Sequence, residues 1–187
     1  MLILASTSPR RSELLRMAGI PFTAAPVEVG EEYLPGTPPM QIVEQLAARK
    51  ATAAAKQYPD DTVLGADTLV VLKGRIFGKP KNAADAKTML KLLSGSVHQV
   101  YTGYCLIHNG KPVCGHECTS VEFYPLREED IDSYIATGEP MDKAGAYGIQ
   151  GRGALLIKRI DGDFYNVMGL PVSKINRILR EISSPSL

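Results

Sequence analysis

The first apolar run of the chain predicts a short strand that leads directly into a helix. Leu2–Ala5 is continuously apolar, which is typical of a short buried strand. Ser8 is a favourable residue at a helix N-cap, and Pro9 suits the first helical position. Leu14 and Ala18 then fall at helical spacing. The pattern therefore predicts that a helix begins immediately after this strand.

Further strands and helices follow from the same kind of pattern. The predicted strands are Ile20–Ala25, Thr62–Leu72 (interrupted at Gly65–Thr68), Val97–Ile107, Pro112–Tyr124, Ala154–Ile160 and Phe164–Val167. The predicted helices are Met40–Gln57, Ala83–Leu93, Glu128–Ala136 and Leu170–Ile182. Asn109-Gly110 predicts a tight hairpin. Because most strands are not separated by helices, we expect an α/β fold with a mixed, strongly twisted, elongated sheet flanked by helices. We expect two lobes with a central cleft, within a single domain over 1–187.

Composition narrows the class of protein. The formal net charge is +1, so no global basic field favours nucleic-acid binding. No apolar run reaches the length of a membrane span, and the first residues show no basic segment followed by an apolar core of signal-peptide length. We therefore expect a cytoplasmic protein with neither nucleic-acid nor membrane partners.

The three cysteines do not indicate a disulfide framework, since their number is odd and their spacing irregular. Cys114, His116 and Cys118 would project from one face of a strand. The outer pair would then lie about 13 Å apart, too far to bind one zinc ion. We interpret these three residues as strand residues.

The start of the first helix is a candidate anion site. Its free N–H groups and its dipole favour a negative charge. Arg10 and Arg11 oppose that dipole, which suggests that they serve a bound phosphate. A surface helix with two solvated arginines remains an alternative.

Carboxylates and a lysine form a second candidate site. Asp67 interrupts an apolar strand, where an unpaired carboxylate is unfavourable. The alternative is an Asp at a turn between two short strands. With Glu31 or Glu32 from an acidic loop, Asp67 could supply the oxygen ligands that Mg²⁺ prefers. Lys79 lies on a nearby Gly/Pro loop.

The segment 138–151 is rich in glycine and irregular in pattern. Its glycines permit close approach to a ligand. Gln150 carries both a donor and an acceptor, so its amide could pair with the edge of a base. A long structural turn is the alternative.

These blocks, in this order, resemble the Maf family of nucleoside triphosphate pyrophosphatases over essentially the whole chain. They are Ser8-Pro9-Arg10-Arg11, Gly65-Ala66-Asp67-Thr68, Gly78-Lys79-Pro80, Leu93-Ser94-Gly95 and the stretch from Glu139-Pro140 to Gly151. The resemblance implies an inosine-triphosphatase-like fold and hydrolysis of a nucleoside triphosphate to the monophosphate and pyrophosphate. It also implies a divalent cation, Mg²⁺ or Mn²⁺, and a homodimer.

The resemblance also implies roles for individual residues. Asp67 takes the catalytic position and, with Glu31, binds the metal, although the adjacent Glu32 leaves the register of Glu31 open. The phosphate-side positions are Ser8, Arg10, Arg11, Lys50 and Lys79, and the base-specificity positions are Arg10, Thr68 and Gln150.

Thr68 and the Tyr147–Gly151 pattern are similar to the branch acting on dTTP and UTP rather than the branch acting on 7-methyl-GTP. An alternative from another class is a nucleotide-sensing or partner-binding regulator of septum formation with slow hydrolysis.

Overall fold

The computed structural model describes residues 1–183 as a mixed α/β protein. The predicted domain range 1–187 includes four residues, 184–187, that lie outside the described part. The strands are β1 Leu2–Ala5, β2 Thr23–Ala24, β3 Thr62–Leu72, β4 Arg75–Phe77, β5 Val97–His108, β6 Lys111–Phe123 and β7 Ile157–Asp161. The α-helices are α1 Pro9–Met17, α2 Pro39–Ala55, α3 Ala83–Leu93, α4 Glu128–Ile135, α5 Phe164–Met168 and α6 Val172–Ser183. Three 3₁₀ turns span Glu139–Asp142, Ala144–Ala146 and Gly151–Leu156.

The strands form one sheet in the order β2-β1-β3-β5-β6-β7, with β4 paired to β3. β1 is parallel to β2 and β3, whereas β3–β4 and β6–β7 are antiparallel. The expectation of a mixed sheet flanked by helices is therefore confirmed. Among residues 1–183, no helix has the length and apolar character needed to cross a membrane.

The chain divides into two compact units, in agreement with the two predicted lobes. Unit 1 contains Met1–Asp67, Thr102–Glu117 and the described residues from Gly169 onward, whereas unit 2 contains Thr68–Tyr101 and Cys118–Met168. The predicted cleft stays a prediction.

Each unit has its own apolar core. In unit 1, alanines 47, 51 and 54 of α2 pack with Ile3 of β1 and Val63 of β3. In unit 2, aromatic residues such as Phe77, Phe123 and Tyr147 pack with leucines of α3. The small side chains of α2 allow that helix to lie close to the strands that carry the charged residues of unit 1.

Strand β3 is continuous through Gly65–Thr68, so the predicted interruption is wrong. Asp67 is tolerated within the strand because it has a cationic partner and is only partly buried. The predicted hairpin at Asn109-Gly110 is confirmed, and both residues have the positive φ of a type I′ turn, 49° and 73°.

The segment after β7 was predicted as a strand, but Phe164–Met168 is a short helix. The side chain of Asp163 accepts a hydrogen bond from the backbone N–H of Tyr165 at 2.8 Å and so caps the start of this helix. Ala154 and Leu155, predicted to begin a strand, lie in a 3₁₀ turn, and β7 begins only at Ile157.

The cysteines also differ from expectation, because Cys105 and Cys114 form a disulfide across the β5–β6 hairpin. The two-residue turn places them opposite each other with a Cα–Cα distance of 4.0 Å. Their pairing follows from strand register, which a count of cysteines ignores. His116 and Cys118 lie on β6 as predicted, and His116 Nδ1 is 2.7 Å from Glu44 Oε1.

Candidate functional site

A lysine and two carboxylates form the centre of the charged cluster in unit 1. Lys50 Nζ lies 2.5 Å from Asp67 Oδ1 and 3.5 Å from Glu31 Oε1. The side chains of Lys50 and Asp67 are only 14% and 13% exposed, whereas that of Glu31 is 70% exposed. The ammonium group therefore offsets the charge of Asp67 where water is scarce, and Glu31 closes the cluster on its solvent side.

Close packing of α2 on β3 brings Lys50 to Asp67. A β-carbon on Gly65 would overlap the carbonyl oxygen of Ala47 and lie 2.6 Å from the backbone nitrogen of Ala51. Gly65 and Asp67 are two residues apart on β3 and thus face the same side of the sheet. Because Gly65 has no side chain, α2 can lie against β3 at Ala51. Lys50, the residue before Ala51, is thereby brought close to Asp67.

The acidic loop is held in place by Arg49, the neighbour of Lys50 on α2. Its Nη1 donates to the carbonyl oxygens of Gly30 at 3.0 Å and Glu32 at 2.7 Å. The carboxylate of Glu32 lies back against Gly30, while that of Glu31 faces Lys50. Of the two adjacent glutamates, the geometry favours Glu31 as the member of the cluster.

The start of α1 lies where the sequence predicts it, with Ser8 at the N-cap and Pro9 in the first turn. The side chain of Ser8 makes no cap hydrogen bond. Instead, the backbone N–H of Ser8 donates to Ser6 Oγ at 3.2 Å. The hydroxyl of Ser8 is therefore not committed to capping its own helix.

Arg11 differs from the solvated or ligand-facing side chain suggested by the sequence. It is buried, and its Nε donates to the carbonyl oxygen of Gly169 at 2.8 Å while its Nη1 donates to Ser6 Oγ at 3.0 Å. Burial lowers the pKa of the guanidinium, the charge of Asp67 raises it, and the charge of Arg10 lowers it. Arg10, Arg11 and Asp67 therefore lie within electrostatic reach of one another, and Arg11 also supports the structure.

The donor set fits a hard divalent cation such as Mg²⁺. Asp67 and Glu31 both place a carboxylate oxygen near the ammonium group of Lys50. Within residues 1–183 no group of three or more His, Cys, Asp or Glu side chains gathers as a metal site. Proteins nevertheless commonly bind Mg²⁺ through one or two carboxylates, and substrate phosphates and water supply the other ligands.

Unit 2 carries the remaining predicted residues. Thr68 follows Asp67 on β3, Lys79 lies exposed between β4 and α3, and Gln150 is exposed before a 3₁₀ turn. The backbone N–H of Gly145 donates to the carbonyl oxygen of Gly78 at 3.0 Å. This bond joins the loop of Lys79 to the glycine-rich loop of Gln150.

Several residues in these arrangements were not found from the sequence. Ser6 and Gly169 each supply an oxygen that accepts a hydrogen bond from Arg11. Arg49 donates to backbone carbonyl groups of the acidic loop. Tyr134 and Glu139 accept hydrogen bonds from the backbone of the Gln150 loop. The signal for Glu139 was its place in the Glu139-Pro140 block, whereas a carbonyl acceptor such as that of Gly169 gives no signal in a sequence.

Comparison with known proteins identifies the family of this chain. A family model described as Maf-like protein matches residues 1–182. A protein of Symbiobacterium thermophilum named dTTP/UTP pyrophosphatase is 53% identical over 98% of this chain and 95% of its own length. Proteins of the same name from Bacillus cytotoxicus and Bacillus cereus are 52% and 51% identical over 97% of this chain and 95% of their own lengths.

A solved structure, the Ham1 protein of Staphylococcus aureus, matches 66% of this chain and 72% of its own with 18% identity and a TM-score of 0.47. We draw no conclusion from that likeness. The family model and the three relatives cover nearly the whole length, including the charged cluster and the glycine-rich loop. The chain belongs to the Maf family.

Proposed function

We propose that this protein hydrolyses dTTP and UTP to the monophosphate and pyrophosphate. The observation that carries the proposal is the placement of Asp67 and Glu31 around Lys50, beside the arginine-bearing start of α1. Relatives at more than 50% identity bear the name dTTP/UTP pyrophosphatase, which supports the choice of substrate.

The chemistry required is attack of water on the α-phosphorus and departure of pyrophosphate. Asp67 orients the water and accepts its proton. Arg10, Lys50 and Lys79 offset the charge of the triphosphate and of the leaving pyrophosphate, and the free hydroxyl of Ser8 donates to a phosphate oxygen. Arg11 contributes its positive charge from a buried position. Catalysis of this kind depends mainly on positioning and charge.

A divalent cation, Mg²⁺ or Mn²⁺, belongs to this proposal. Glu31 and Asp67 would hold it, and Lys50 would offset the charge of the phosphates beside it. When bound, such a cation offsets negative charge and polarises phosphoryl oxygens. The mixed carboxylate set of Glu31 and Asp67, which lacks sulfur and imidazole, favours these hard ions over zinc.

We assign the choice of base to Gln150 and Thr68 of unit 2, together with Arg10. Uracil and thymine present O4, N3–H and O2 in a row, and a glutamine amide pairs with the first two. Cytosine has a donor at position 4 and no proton on N3, so it would mispair with the same amide. Sites that hydrogen-bond a substrate reject analogues which leave the site unpaired.

The deciding experiment measures pyrophosphate release from dTTP, UTP, CTP, ATP and GTP, with Mg²⁺ and with chelator. We expect release from dTTP and UTP that needs the cation. Asp67→Asn should lower kcat by about a hundredfold or more, as loss of an acid–base group does. Asp60→Asn is the matched control, since Asp60 is exposed and outside the cluster.

Other results would overturn the proposal. Orthophosphate as the first product would mean attack at the γ-phosphorus, and equal kcat/KM for all bases would remove the assigned specificity. A nucleotide-sensing regulator of septum formation would bind dTTP tightly and turn it over negligibly. The homodimer rests on the family resemblance, and sedimentation would test it. The cytoplasmic location rests on the sequence pattern, which shows neither an apolar run of membrane-span length nor a signal-peptide pattern.

A further inference from the structure

Three backbone N–H groups that flank Gln150 donate to only two side chains. On one side, Gly148 N–H donates to Tyr134 Oη at 3.1 Å. On the other, Arg152 N–H donates to Glu139 Oε1 at 3.0 Å and Gly153 N–H donates to Glu139 Oε2 at 3.3 Å. Each oxygen of the Glu139 carboxylate therefore takes one of these N–H groups.

The two acceptors are themselves connected. Tyr134 is buried, and its hydroxyl lies within electrostatic reach of the carboxylate of Glu139. Burial, with the nearby charge of Glu139, raises the pKa of Tyr134 to about 12, although the N–H of Gly148 acts to lower it. The hydroxyl therefore keeps its proton and accepts a hydrogen bond from the backbone N–H of Gly148.

The carboxylate lies directly beneath the loop. A β-carbon on Gly151 would sit 2.6 Å from Glu139 Oε1, and Gly151 has a φ of 65°. Gln150, one residue earlier, is exposed and makes no side-chain cap hydrogen bond. The backbone on both sides of Gln150 is thus held by Tyr134 and Glu139, while the side chain of Gln150 is exposed.

We propose that Tyr134 and Glu139 are positioning residues that set the base selectivity of Gln150 by holding its backbone. This inference rests on the proposed function, because it takes Gln150 as the residue that reads the base. A bidentate amide–base pair needs its atoms in register, so a loop that shifts loses discrimination before it loses phosphate chemistry.

The test uses two conservative variants of the full-length protein. Tyr134→Phe removes the hydroxyl but keeps the ring. Glu139→Gln keeps the shape, but an amide offers one acceptor oxygen where two N–H groups need one each. The matched controls are Tyr124→Phe and Glu129→Gln, because both side chains are exposed and lie outside this network. The readout is the ratio of kcat/KM for dTTP to that for CTP.

We expect each variant to lower this ratio about threefold to tenfold, the effect of losing one or two hydrogen bonds. The controls should leave it unchanged. In a Gln150→Ala background, Tyr134→Phe and Glu139→Gln should have no further effect on the ratio. Amide hydrogen exchange at Gly148, Arg152 and Gly153 should become faster in the corresponding variants.

Two different failures are distinguishable. If Gln150→Ala lowers the ratio but neither supporting variant does so, the inference is overturned and the proposed function stands. The same holds if the variants only lower the melting temperature and slow all nucleotides equally. If the wild-type protein does not discriminate, or Gln150→Ala leaves the ratio intact, the assignment of Gln150 fails and the inference with it.

Discussion

The backbone nitrogen of Ala51 lies 2.6 Å from the position that a β-carbon on Gly65 would occupy. Helix α2 and strand β3 are therefore in backbone contact at the turn of helix that carries Lys50. Any side chain at Gly65 must push the two elements apart, and the shift would be felt first at the Lys50–Asp67 pair.

Gly65→Ala should for this reason reduce both stability and activity. Overpacking of this kind costs about 1–3 kcal/mol, and kcat of the remaining folded protein should fall because Lys50 moves away from Asp67. Gly103→Ala provides a comparison, since a β-carbon there would lie 2.6 Å from the nitrogen of Glu44, further from Lys50 on the same helix. Thermal melts with steady-state kinetics measure both effects, and a wild-type melting temperature for Gly65→Ala would contradict the prediction.

Lys50→Met should be destabilising because it leaves the carboxylate of Asp67 in a poorly hydrated place without its cation. We expect a loss of about 2 kcal/mol, below the range for fully buried pairs. The double variant with Asp67→Asn should regain part of that loss. Denaturant unfolding of the four proteins in this cycle gives the coupling, and Lys56→Met, an exposed lysine at the end of α2, serves as control. Additive losses would show that the pair contributes no coupling.

The two adjacent arginines should behave differently. Arg11→Ala removes the donors to Gly169 and Ser6 from a buried place, so we expect a loss of about 2–4 kcal/mol in stability. The sequence alone suggested only that Arg11 serves a bound phosphate or is solvated. Arg10→Ala should lower activity with a nearly unchanged melting temperature. Equal melting temperatures for the two variants would contradict this division of roles.

His98 should make the stability of the protein depend on pH. It is fully buried beside Tyr147, with Nε2 2.7 Å from the tyrosine hydroxyl, and burial lowers its pKa from 6.5 to about 4. Between these two values the unfolded chain binds a proton that the folded chain does not, so stability falls as the pH decreases through this window. Over the whole window the free energy of unfolding falls by about 3 kcal/mol.

Urea unfolding at several pH values between 7 and 4 checks this prediction. His98→Gln should flatten the dependence in that range, whereas His108→Gln, a histidine that hydrogen-bonds to Thr62 near the hairpin turn, should preserve it. An unchanged slope in His98→Gln would show that other groups cause the acid sensitivity.

Features that depend on neighbouring residues were predictable from the sequence. The hairpin at Asn109-Gly110 requires two residues that tolerate positive φ, and the helix at Ala83–Leu93 has a strong apolar period with Asn82 as its N-cap. The segment Phe164–Val167 was misread because its aromatic and branched residues favour strands. The helix cap, in which the Asp163 side chain accepts from the backbone N–H of Tyr165, outweighed that preference.

Features that depend on distant partners were not predictable in the same way. The structural role of Arg11 arises because a carbonyl group 158 residues away accepts a hydrogen bond from its side chain. Similarly, the choice between Glu31 and Glu32 depends on how Arg49 holds the loop backbone. The sequence indicated which types of residue form the cluster, but the role of each residue could be assigned only from the fold.

The bond from Arg11 to Gly169 has a consequence for synthesis of the protein. Arg11 is translated before its carbonyl acceptor, which follows 158 residues later in the chain. Until then the donor has no Gly169 to bind, and unit 1 lacks α6. A truncated product ending before Gly169 would carry all the charged residues of the cluster, but Arg11 at the start of α1 would lack its hydrogen bond to Gly169. Arg11 can therefore take its folded position only after the segment that carries Gly169 has been translated.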